Sequence, residues 1–437
     1  MEPYVIGLLG MVLMLAMIFL HVPIGVAMGL AGVLTFGLIR GSFGPALTLF
    51  GTETVGKVAS MELAVVPLFL LMGAFATVGG LSSDLYRIAY ALVGHMRGGL
   101  ALATIGGCAG FGAVCGSSIA TATTMTRVAM PEMNKRNYSE RLSTGSIAAG
   151  GTLGMLIPPS IILVLYGVLT EQFVKTLFVA ALIPGLMAVA LYVLTIWLLV
   201  RRNPELGPPG EELPWAEVGR ALANGWAAIV LMITVTGGIY AGIFSVNESA
   251  AVGAVMAFAI ALLRGRLTLK TFWLALRDTA ATTSMIYLMI IGASIFTYAV
   301  TLSGLPEIIV NGIRDTGLPG IWVVVLLMLM YIVLGSIFDT ISSMVITIPF
   351  VFPLIVGYGF DPIWWGILTV MVIEIGMVTP PVGMNVFVMK AMLPKTTLRT
   401  IYAGVMPFLA ADLVRLALVI AFPALTLVLV DFFALPR

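Results

Sequence analysis

The chain has 437 residues, of which 60% are hydrophobic and 10% are charged, and its formal net charge is +2. This composition excludes a water-soluble globule, because apolar runs of about 17 residues or more, enough to cross a hydrocarbon core, recur throughout. We find no catalytic cluster, no P-loop and no basic patch for nucleic acid, and the two cysteines lack partners for a metal site. We therefore expect neither an enzyme nor a cofactor.

The apolar spans fall into two groups of five, separated by a polar linker at 201–220. The linker, RRNPELGPPGEELPWAEVGR, is rich in proline and charge, which is typical of a connector. We therefore interpret 1–200 and 221–437 as two repeats of an all-α polytopic membrane protein. The predicted spans are 4–20, 22–40, 61–79, 138–170, 177–200, 220–242, 246–264, 281–303, 362–391 and 400–432.

Two further apolar stretches, 98–131 and 320–355, have small and polar residues at their centres. The centres read Gly116-Ser117-Ser118 and Gly335-Ser336-Ile337-Phe338-Asp339-Thr340. A stretch of about 35 residues is long enough to cross the bilayer twice, or to enter halfway and return. We favour two re-entrant hairpins, because such tips suit a wet site at mid-membrane better than a surface turn.

The same phrase, G-M-x-x-P-P, occurs once in each half, at Gly154–Pro159 and at Gly376–Pro381. Glycine and proline weaken a helix, so we expect both surrounding spans, 138–170 and 362–391, to be broken. Unpaired backbone groups at membrane depth are tolerated only where they line an enclosed or wet cavity. Paired breaks at corresponding places in two repeats indicate the binding site of a transporter.

An odd number of crossings in each half requires the second half to be inverted relative to the first. The positive-inside rule sets the direction and places the linker in the cytoplasm and both termini outside. Amphipathic stretches at 43–58, Leu81–Val93, 267–279 and Leu305–Arg314 are interpreted as interfacial arms or as ordinary loops. The residues on the predicted inner side are Arg87, Arg97, Lys135, Arg136, Arg141, Arg201, Arg202, Arg220, Arg264, Arg266, Lys270, Arg277, Lys390, Lys395 and Arg399, against Arg40, Lys57, Lys175 and Arg314 outside.

Each hairpin tip and the break of its own half together form a candidate sodium site, because helix-end carbonyls and hydroxyls suit a small hard cation. An anionic substrate would lie between the two sites, where helix amides are exposed. The first cation site comprises Ser117, Ser118 and the break from Gly154. The second comprises Gly335, Asp339, Thr340, Gly376, Thr379 and the carbonyl of Val382. The candidate substrate residues are Ser118, Pro158, Ser160, Ser342 and Asn385.

Three polar residues in the second half have more than one interpretation. Asp339 is a cation ligand, a proton carrier or a member of a buried polar network, since a carboxylate at mid-membrane is costly without a role. Glu374 has either the same kind of role or braces the broken helix. Asn385 faces substrate or bonds to a neighbouring helix, and we favour the helix.

Four segments carry a family resemblance: Ala129-Met130-Pro131-Glu132-Met133, residues 148–160 (AAGGTLGMLIPPS), residues 247–254 (NESAAVGA) and residues 374–385 (EIGMVTPPVGMN). Together they resemble the large membrane subunit of tripartite ATP-independent periplasmic (TRAP) transporters. The resemblance extends in order over essentially the whole chain, which makes it more specific than any one motif.

The resemblance implies a sodium-driven, elevator-type importer of an organic acid, such as a sialic acid or a dicarboxylate, in the bacterial inner membrane. It implies a periplasmic substrate-binding protein and a separate small four-helix membrane subunit as partners. The hairpins and broken helices would move against a scaffold of the other spans. The alternative is an ion-coupled carboxylate symporter that works without a binding protein; a membrane-embedded enzyme and a channel fit the sequence less well.

Overall fold

Helices form the regular structure in this computed structural model, which describes residues 2–436. Hydrocarbon offers no water to a backbone N–H or C=O, so an apolar chain must pair these groups internally, and a helix does so within one segment. No strand occurs in the described range. The predicted all-α polytopic fold is therefore confirmed.

The helices of the first half are α1 (Pro3–Phe19), α2 (Ile24–Arg40), α3 (Gly44–Val58), α4 (Val65–Gly79), α5 (Leu81–Val93), α6 (Gly99–Cys115), α7 (Ser118–Lys135), α8 (Glu140–Leu156), α9 (Ile161–Thr170) and α10 (Val174–Arg202). Those of the second half are α11 (Trp215–Asn224), α12 (Trp226–Met232), α13 (Gly238–Tyr240), α14 (Val246–Leu263), α15 (Leu269–Leu302), α16 (Leu305–Asp315), α17 (Gly320–Ile337), α18 (Thr340–Gly357), α19 (Pro362–Val378), α20 (Met384–Met392), α21 (Leu398–Ala421) and α22 (Ala424–Phe432).

Six of the described helices are long and apolar enough to cross a membrane, and nine spans result if each of three bent helix pairs counts as one. Helices α17 and α18 are two of these nine, but together they form a re-entrant hairpin that does not cross, so neither counts as a span. The shorter apolar helices α1 and α2 and the pair α19–α20 add three, which gives the ten spans predicted from the sequence.

The two halves repeat the same order of helices at a constant separation. Helix α8 covers 140–156 and α19 covers 362–378, so both ends are separated by 222 residues. The arm helices α5 and α16 follow the same spacing to within two residues. The two G-M-x-x-P-P phrases, at Gly154 and Gly376, therefore occupy equivalent places in a structural repeat.

Long spans of one half pack against long spans of the other half. Gly25 of α2 lies against Leu288 of α15, and Gly32 lies against Phe296, so the two helices run parallel. The contacts of α4 with α14 are equivalent and pair Met72 with Gly253 and Gly79 with Ala261. Each α2-type helix thus packs on the α4-type helix of the other half. In an inverted repeat, these pairs run parallel if α2 and α4 themselves run in opposite directions.

Each polar-centred stretch folds back on itself as a helical hairpin. In the first, Gly107 lies beside Met125, and both are nine residues from Gly116 at the tip. In the second, the hydroxyls of Tyr331 and Thr347 are 2.5 Å apart, each eight residues from Asp339. The tips lie beside the breaks in the broken spans rather than beyond the span ends, as re-entrant hairpins should.

Glycine at the crossing points lets the hairpins reach the breaks. A Cβ on Gly112 of α6 would lie 2.5 Å from the Cα of Gly154 in α8, and a Cβ on Gly376 of α19 would lie 2.8 Å from the Cα of Gly335 in α17. Cβ atoms do not approach other heavy atoms this closely, so a side chain at these positions would push the backbones apart. The same device occurs in both halves.

Four predicted boundaries are wrong. The predicted arm 267–279 is continuous with the next span in α15, where residues 269–291 contain no glycine or proline. The linker is shorter than 201–220, since α10 extends to Arg202 and α11 begins at Trp215. The predicted span 220–242 is bent after Asn224 and contains a π-helical turn at Ile233–Gly237. The last span, 400–432, is broken at Pro423, which lacks the N–H that a continuous helix needs.

Gly376 of α19 and Gly56 of α3 test whether close packing at the crossing is required. Both are helical, but a Cβ on Gly56 would meet nothing within 4 Å. We expect Gly376→Ala to lower the free energy of unfolding by about 1–3 kcal/mol, because the site has no room for a methyl group. Gly56→Ala should raise it by about 0.5–1 kcal/mol. Thermal unfolding in detergent measures both, and equal melting temperatures would contradict the packing argument.

Candidate binding site at the hairpin tips and helix breaks

The first hairpin tip lies directly on the first helix break. Ser117 is the N-cap residue of α7, and its hydroxyl accepts from the backbone N–H of Ala120 at 3.4 Å. The Ser117 carbonyl accepts from the Thr121 hydroxyl at 2.7 Å. A Cβ on Gly154 would lie 3.2 Å from that carbonyl. The predicted grouping of Ser117 with the break at Gly154 is therefore present in the structure.

Ser118 connects the first tip to the second half of the chain. Its hydroxyl accepts from the side-chain amide of Asn385 in α20 at 2.6 Å, and both residues are buried. The same amide nitrogen lies 3.4 Å from the carbonyl of Ala148, while its oxygen, Oδ1, has no hydrogen-bond partner within residues 2–436. Asn385 is thus an interhelical partner, as favoured from the sequence, and its free oxygen can still accept a bond.

Pro158 and Ser160 are buried within the first break. The Ser160 hydroxyl donates to the carbonyl of Met155 and accepts from the N–H of Leu163 at 3.3 Å, so it caps both sides of the gap. These bonds satisfy backbone groups that the break leaves open. Ser160 has a structural role here, and neither residue lines the cavity between the tips.

The second tip is organised by a carboxylate. Asp339 is the N-cap residue of α18, and its carboxylate accepts from the N–H groups of Ile341 and Ser342 at 3.2 and 3.3 Å, and also from the Ser342 hydroxyl. A negative charge at a helix N-terminus is favourable, because it faces the positive end of the helix dipole. The predicted substrate residue Ser342 is therefore a partner of Asp339 and does not line the cavity between the tips.

The second break is held by bonds to its neighbours. The Thr379 hydroxyl donates to the carbonyl of Ile375 at 2.6 Å, and the carbonyl of Val382 accepts from the Tyr402 hydroxyl at 2.6 Å. The N–H of Gly383 donates to the carbonyl of Ser336 at 3.0 Å, which ties the start of α20 to the end of α17 in the second hairpin. Thr379 and Val382 thus lie at the break as predicted. The prolines of this break, Pro380 and Pro381, are exposed, whereas those of the first break are buried.

A cavity of about 120 Å³ lies where the two tips meet, and it is large enough for more than one water-sized molecule. Both tips line it, through Ser117 and Ser118 from the first half and Asp339 and Thr340 from the second. The other predicted cation residues, Gly154, Gly335, Gly376, Thr379 and Val382, lie outside its lining.

The methionines of the twin phrases were not singled out from the sequence. Met155 and Met377 both line this cavity, and the Thr340 hydroxyl lies 3.3 Å from the sulfur of Met155 and 2.9 Å from that of Met377. The repeated G-M pair was visible in the sequence, but methionine is so often a packing residue that it carried no separate signal. Leu70, Thr282 and Ile286 from the flanking spans α4 and α15 also line the cavity.

The two tips are equivalent in position and different in charge. Ser117 and Asp339 each precede the first residue of a hairpin helix and are separated by the repeat distance of 222 residues (117 to 339). The α7 N-terminus therefore faces the cavity without a carboxylate at its own cap, while the α18 N-terminus is already neutralised by Asp339. The helix N-terminus at the first tip therefore favours an anion more than the one at the second tip does.

A buried ionic cluster braces the second broken helix behind this cavity. Arg415 of α21 lies 2.9 Å from Glu374 of α19 and 3.0 Å from Asp412, and the three side chains are at most 2% exposed. The Tyr192 hydroxyl of α10 donates to Asp412 at 2.6 Å. Glu374 therefore braces its helix. Asp412 and Arg415 were not singled out from the sequence, although charged residues inside the apolar span 400–432 were the available signal.

Substitutions in this cluster should have unequal effects. Arg415→Met leaves two buried carboxylates without their cation, and we expect it to lower the free energy of unfolding by about 3–5 kcal/mol. Glu374→Gln leaves one cation beside one carboxylate, so it should cost much less. Thermal unfolding compares them, and adding Glu374→Gln to Arg415→Met should recover part of the loss. A Glu374→Gln variant as unstable as Arg415→Met would contradict this account.

Comparison with known proteins gives the same assignment. Residues 11–425 match the family model described as the tripartite ATP-independent periplasmic transporter, DctM component. The chain is 34% identical over 411 residues to the C4-dicarboxylate TRAP transporter large permease protein DctM of Pseudomonas aeruginosa, with 92% of this chain and 93% of that protein covered. It is 28% identical to the sialic acid TRAP transporter large permease protein SiaM of Vibrio cholerae, with 96% and 97% covered.

Among solved structures, the YdaH transporter of Alcanivorax borkumensis is similar with a TM-score of 0.62 and 15% sequence identity, over 90% of both chains. That likeness supports the fold, while the family model and the identity to the Pseudomonas protein establish the relationship. The chain belongs to the DctM-component family of tripartite ATP-independent periplasmic transporters.

Proposed function

We propose that this chain is the large membrane subunit of an importer that carries an organic anion across the bacterial inner membrane, driven by sodium. The observation that carries the proposal is the cavity shared by the two hairpin tips. It combines a helix N-terminus without a carboxylate cap, a second one capped by Asp339, and hydroxyls from both halves. Such a site offers amides to an anion and oxygens to a cation.

The substrate class follows from the chemistry of the first tip and the names of the relatives. Two of the related proteins are named for C4-dicarboxylates and for sialic acid, both of which carry a carboxylate. We assign the substrate carboxylate to the α7 N-terminus. It would lie next to Ser118 and to the Asn385 amide that donates to the Ser118 hydroxyl. Pro158, Ser160 and Ser342 are left out of the substrate contacts, because they are engaged within the breaks and caps.

Sodium is assigned to the two tip-and-break pairs. In the first half, the Ser117 carbonyl and the backbone at Gly154 lie together. In the second half, Asp339 supplies a charge that the first site lacks, and the Thr379 hydroxyl keeps lone pairs after donating to Ile375. Oxygen ligands of this kind suit a hard monovalent cation, and the two sites should differ in strength.

The transport step is proposed to be an elevator movement. The hairpins α6–α7 and α17–α18 and the broken pairs α8–α9 and α19–α20 would move as a unit. The scaffold would be the two pairs of packed helices that join the halves, α2 with α15 and α4 with α14. The cavity lies at the boundary of the two groups, because Leu70, Thr282 and Ile286 come from the scaffold helices and the rest of its lining from the moving unit.

Two partners complete the proposed importer. A periplasmic binding protein would deliver the anion, and a small four-helix membrane subunit would support the scaffold. With the linker on the cytoplasmic side, as the positive residues indicate, both termini would be periplasmic.

Uptake by proteoliposomes that contain all three components tests the function. With succinate or sialic acid as the probe, we expect accumulation only when sodium is higher outside. Uptake at the same rate in potassium would refute sodium coupling. Uptake without the binding protein would favour a symporter that works alone.

Asp339→Asn and Thr379→Val test the cation assignment. Each removes an oxygen ligand, so we expect the sodium concentration for half-maximal uptake to rise by about tenfold, the equivalent of about 1.4 kcal/mol. Asp315→Asn, an exposed change of the same type at the end of α16, is the matched control and should leave it unchanged. Wild-type sodium titrations in both site variants would remove the assignment.

A further inference from the structure

A second and larger cavity, of about 450 Å³, opens between the arm helix α5 and the first hairpin, away from the substrate cavity. Its lining includes Arg87, Tyr86 and Tyr90 of α5, Arg127 of α7, and Arg136 directly after α7. Nothing in the transport mechanism above uses these side chains.

Within residues 2–436, the arginines around this cavity lack carboxylate partners. Glu132 is the acidic residue in its lining, and its carboxylate lies 2.9 Å from the ammonium of Lys135. No ion pair in the described range involves Arg87, Arg127 or Arg136. The guanidinium of Arg136 lies 4.9 Å from the ring centre of Tyr90, a contact that leaves its N–H donors available. The cavity therefore has an excess of positive charge.

Two phenol groups add unused hydrogen-bond donors. Tyr86 is only 4% exposed, and its hydroxyl has no hydrogen-bond partner in the described structure. The Tyr90 hydroxyl is likewise buried and unpaired among the described residues. A buried hydroxyl without a partner is destabilising, so donors of this kind in a lining that also contains three arginines indicate a ligand with acceptor oxygens.

The position of the cavity indicates where that ligand comes from. It lies at the end of α7 next to Lys135, in the charged region that the positive-inside rule assigns to the cytoplasmic surface. Leu100 and Val128 give the lining an apolar part. Basic pockets between membrane helices at this level suit phospholipid headgroups, and tyrosines are favoured at the interface.

We propose that this cavity binds a phosphate oxyanion, supplied by the headgroup of an anionic phospholipid. The phosphate oxygens would accept from the three arginines and from the Tyr86 hydroxyl. Since Arg87 is on the arm and the other two arginines are on the hairpin, the bound headgroup would join the arm to the hairpin.

Stabilisation by lipid tests the proposal with the purified full-length protein. Short-chain phosphatidylglycerol, short-chain phosphatidylcholine and inorganic phosphate are each titrated, and the melting temperature is followed. We expect phosphatidylglycerol to raise the melting temperature of the wild type and phosphatidylcholine to have little effect. If inorganic phosphate stabilises as much as phosphatidylglycerol, the lipid source is wrong and the oxyanion comes from solution. Equal stabilisation by both lipids would overturn the proposal.

Substitution of the three cavity arginines by glutamine should weaken phosphatidylglycerol binding by about a hundredfold, since each arginine near the surface contributes about a fivefold factor. The matched control replaces Arg202, Arg277 and Arg399 by glutamine. These three arginines are exposed, lie on the same predicted side of the membrane and are outside the cavity. An equal loss in the control would show a general charge effect and overturn the site.

Tyr86→Phe provides a test without a change of charge. It should weaken phosphatidylglycerol binding severalfold while leaving the lipid-free protein at least as stable as the wild type, because an unpaired hydroxyl is removed. Unchanged binding in both this variant and the triple arginine variant would exclude the cavity.

Discussion

The close approach of each hairpin to a broken helix is the constraint on which the rest of this structure depends. Gly112 and Gly154 in one half, and Gly335 and Gly376 in the other, bring backbones so near that a Cβ has no space. Because the helices touch there, the polar tips reach the breaks, and in the second half the Gly383 N–H finds its acceptor in the Ser336 carbonyl of the hairpin. Without that contact, this amide would be left unpaired at membrane depth.

Charge is then placed unequally on this symmetric frame. Ser117 and Asp339 directly precede equivalent helices, but only Asp339 is charged. The two helix N-termini therefore present different electrostatic potentials to the same cavity. Behind the second break, Arg415 pairs with Glu374 and Asp412 in a fully buried cluster. Such a cluster contributes little net stability, yet removal of its cation would leave buried charges unpaired, which fixes α19 against α21.

The sequence was sufficient for the all-helical membrane fold, the two hairpins, the two breaks and the pairing of each tip with the break of its own half. These features have local causes: apolar length, proline, glycine and polar residues at the centre of apolar stretches. It was a poor guide to continuity, as α15 shows, where the amphipathic segment and the following span form one helix. Likewise, hydropathy alone did not show that Pro423 ends α21.

Contacts between the halves depended on tertiary structure alone. No spacing along the chain predicts that Asn385 donates to Ser118, 267 positions away, or that Thr340 meets Met155 and Met377 together. The sequence by itself determined where the helices break, since each break follows from the backbone chemistry of a few neighbouring residues. Only the folded chain decided which side chains share a cavity, because that depends on how the spans of two inverted halves pack in parallel against each other.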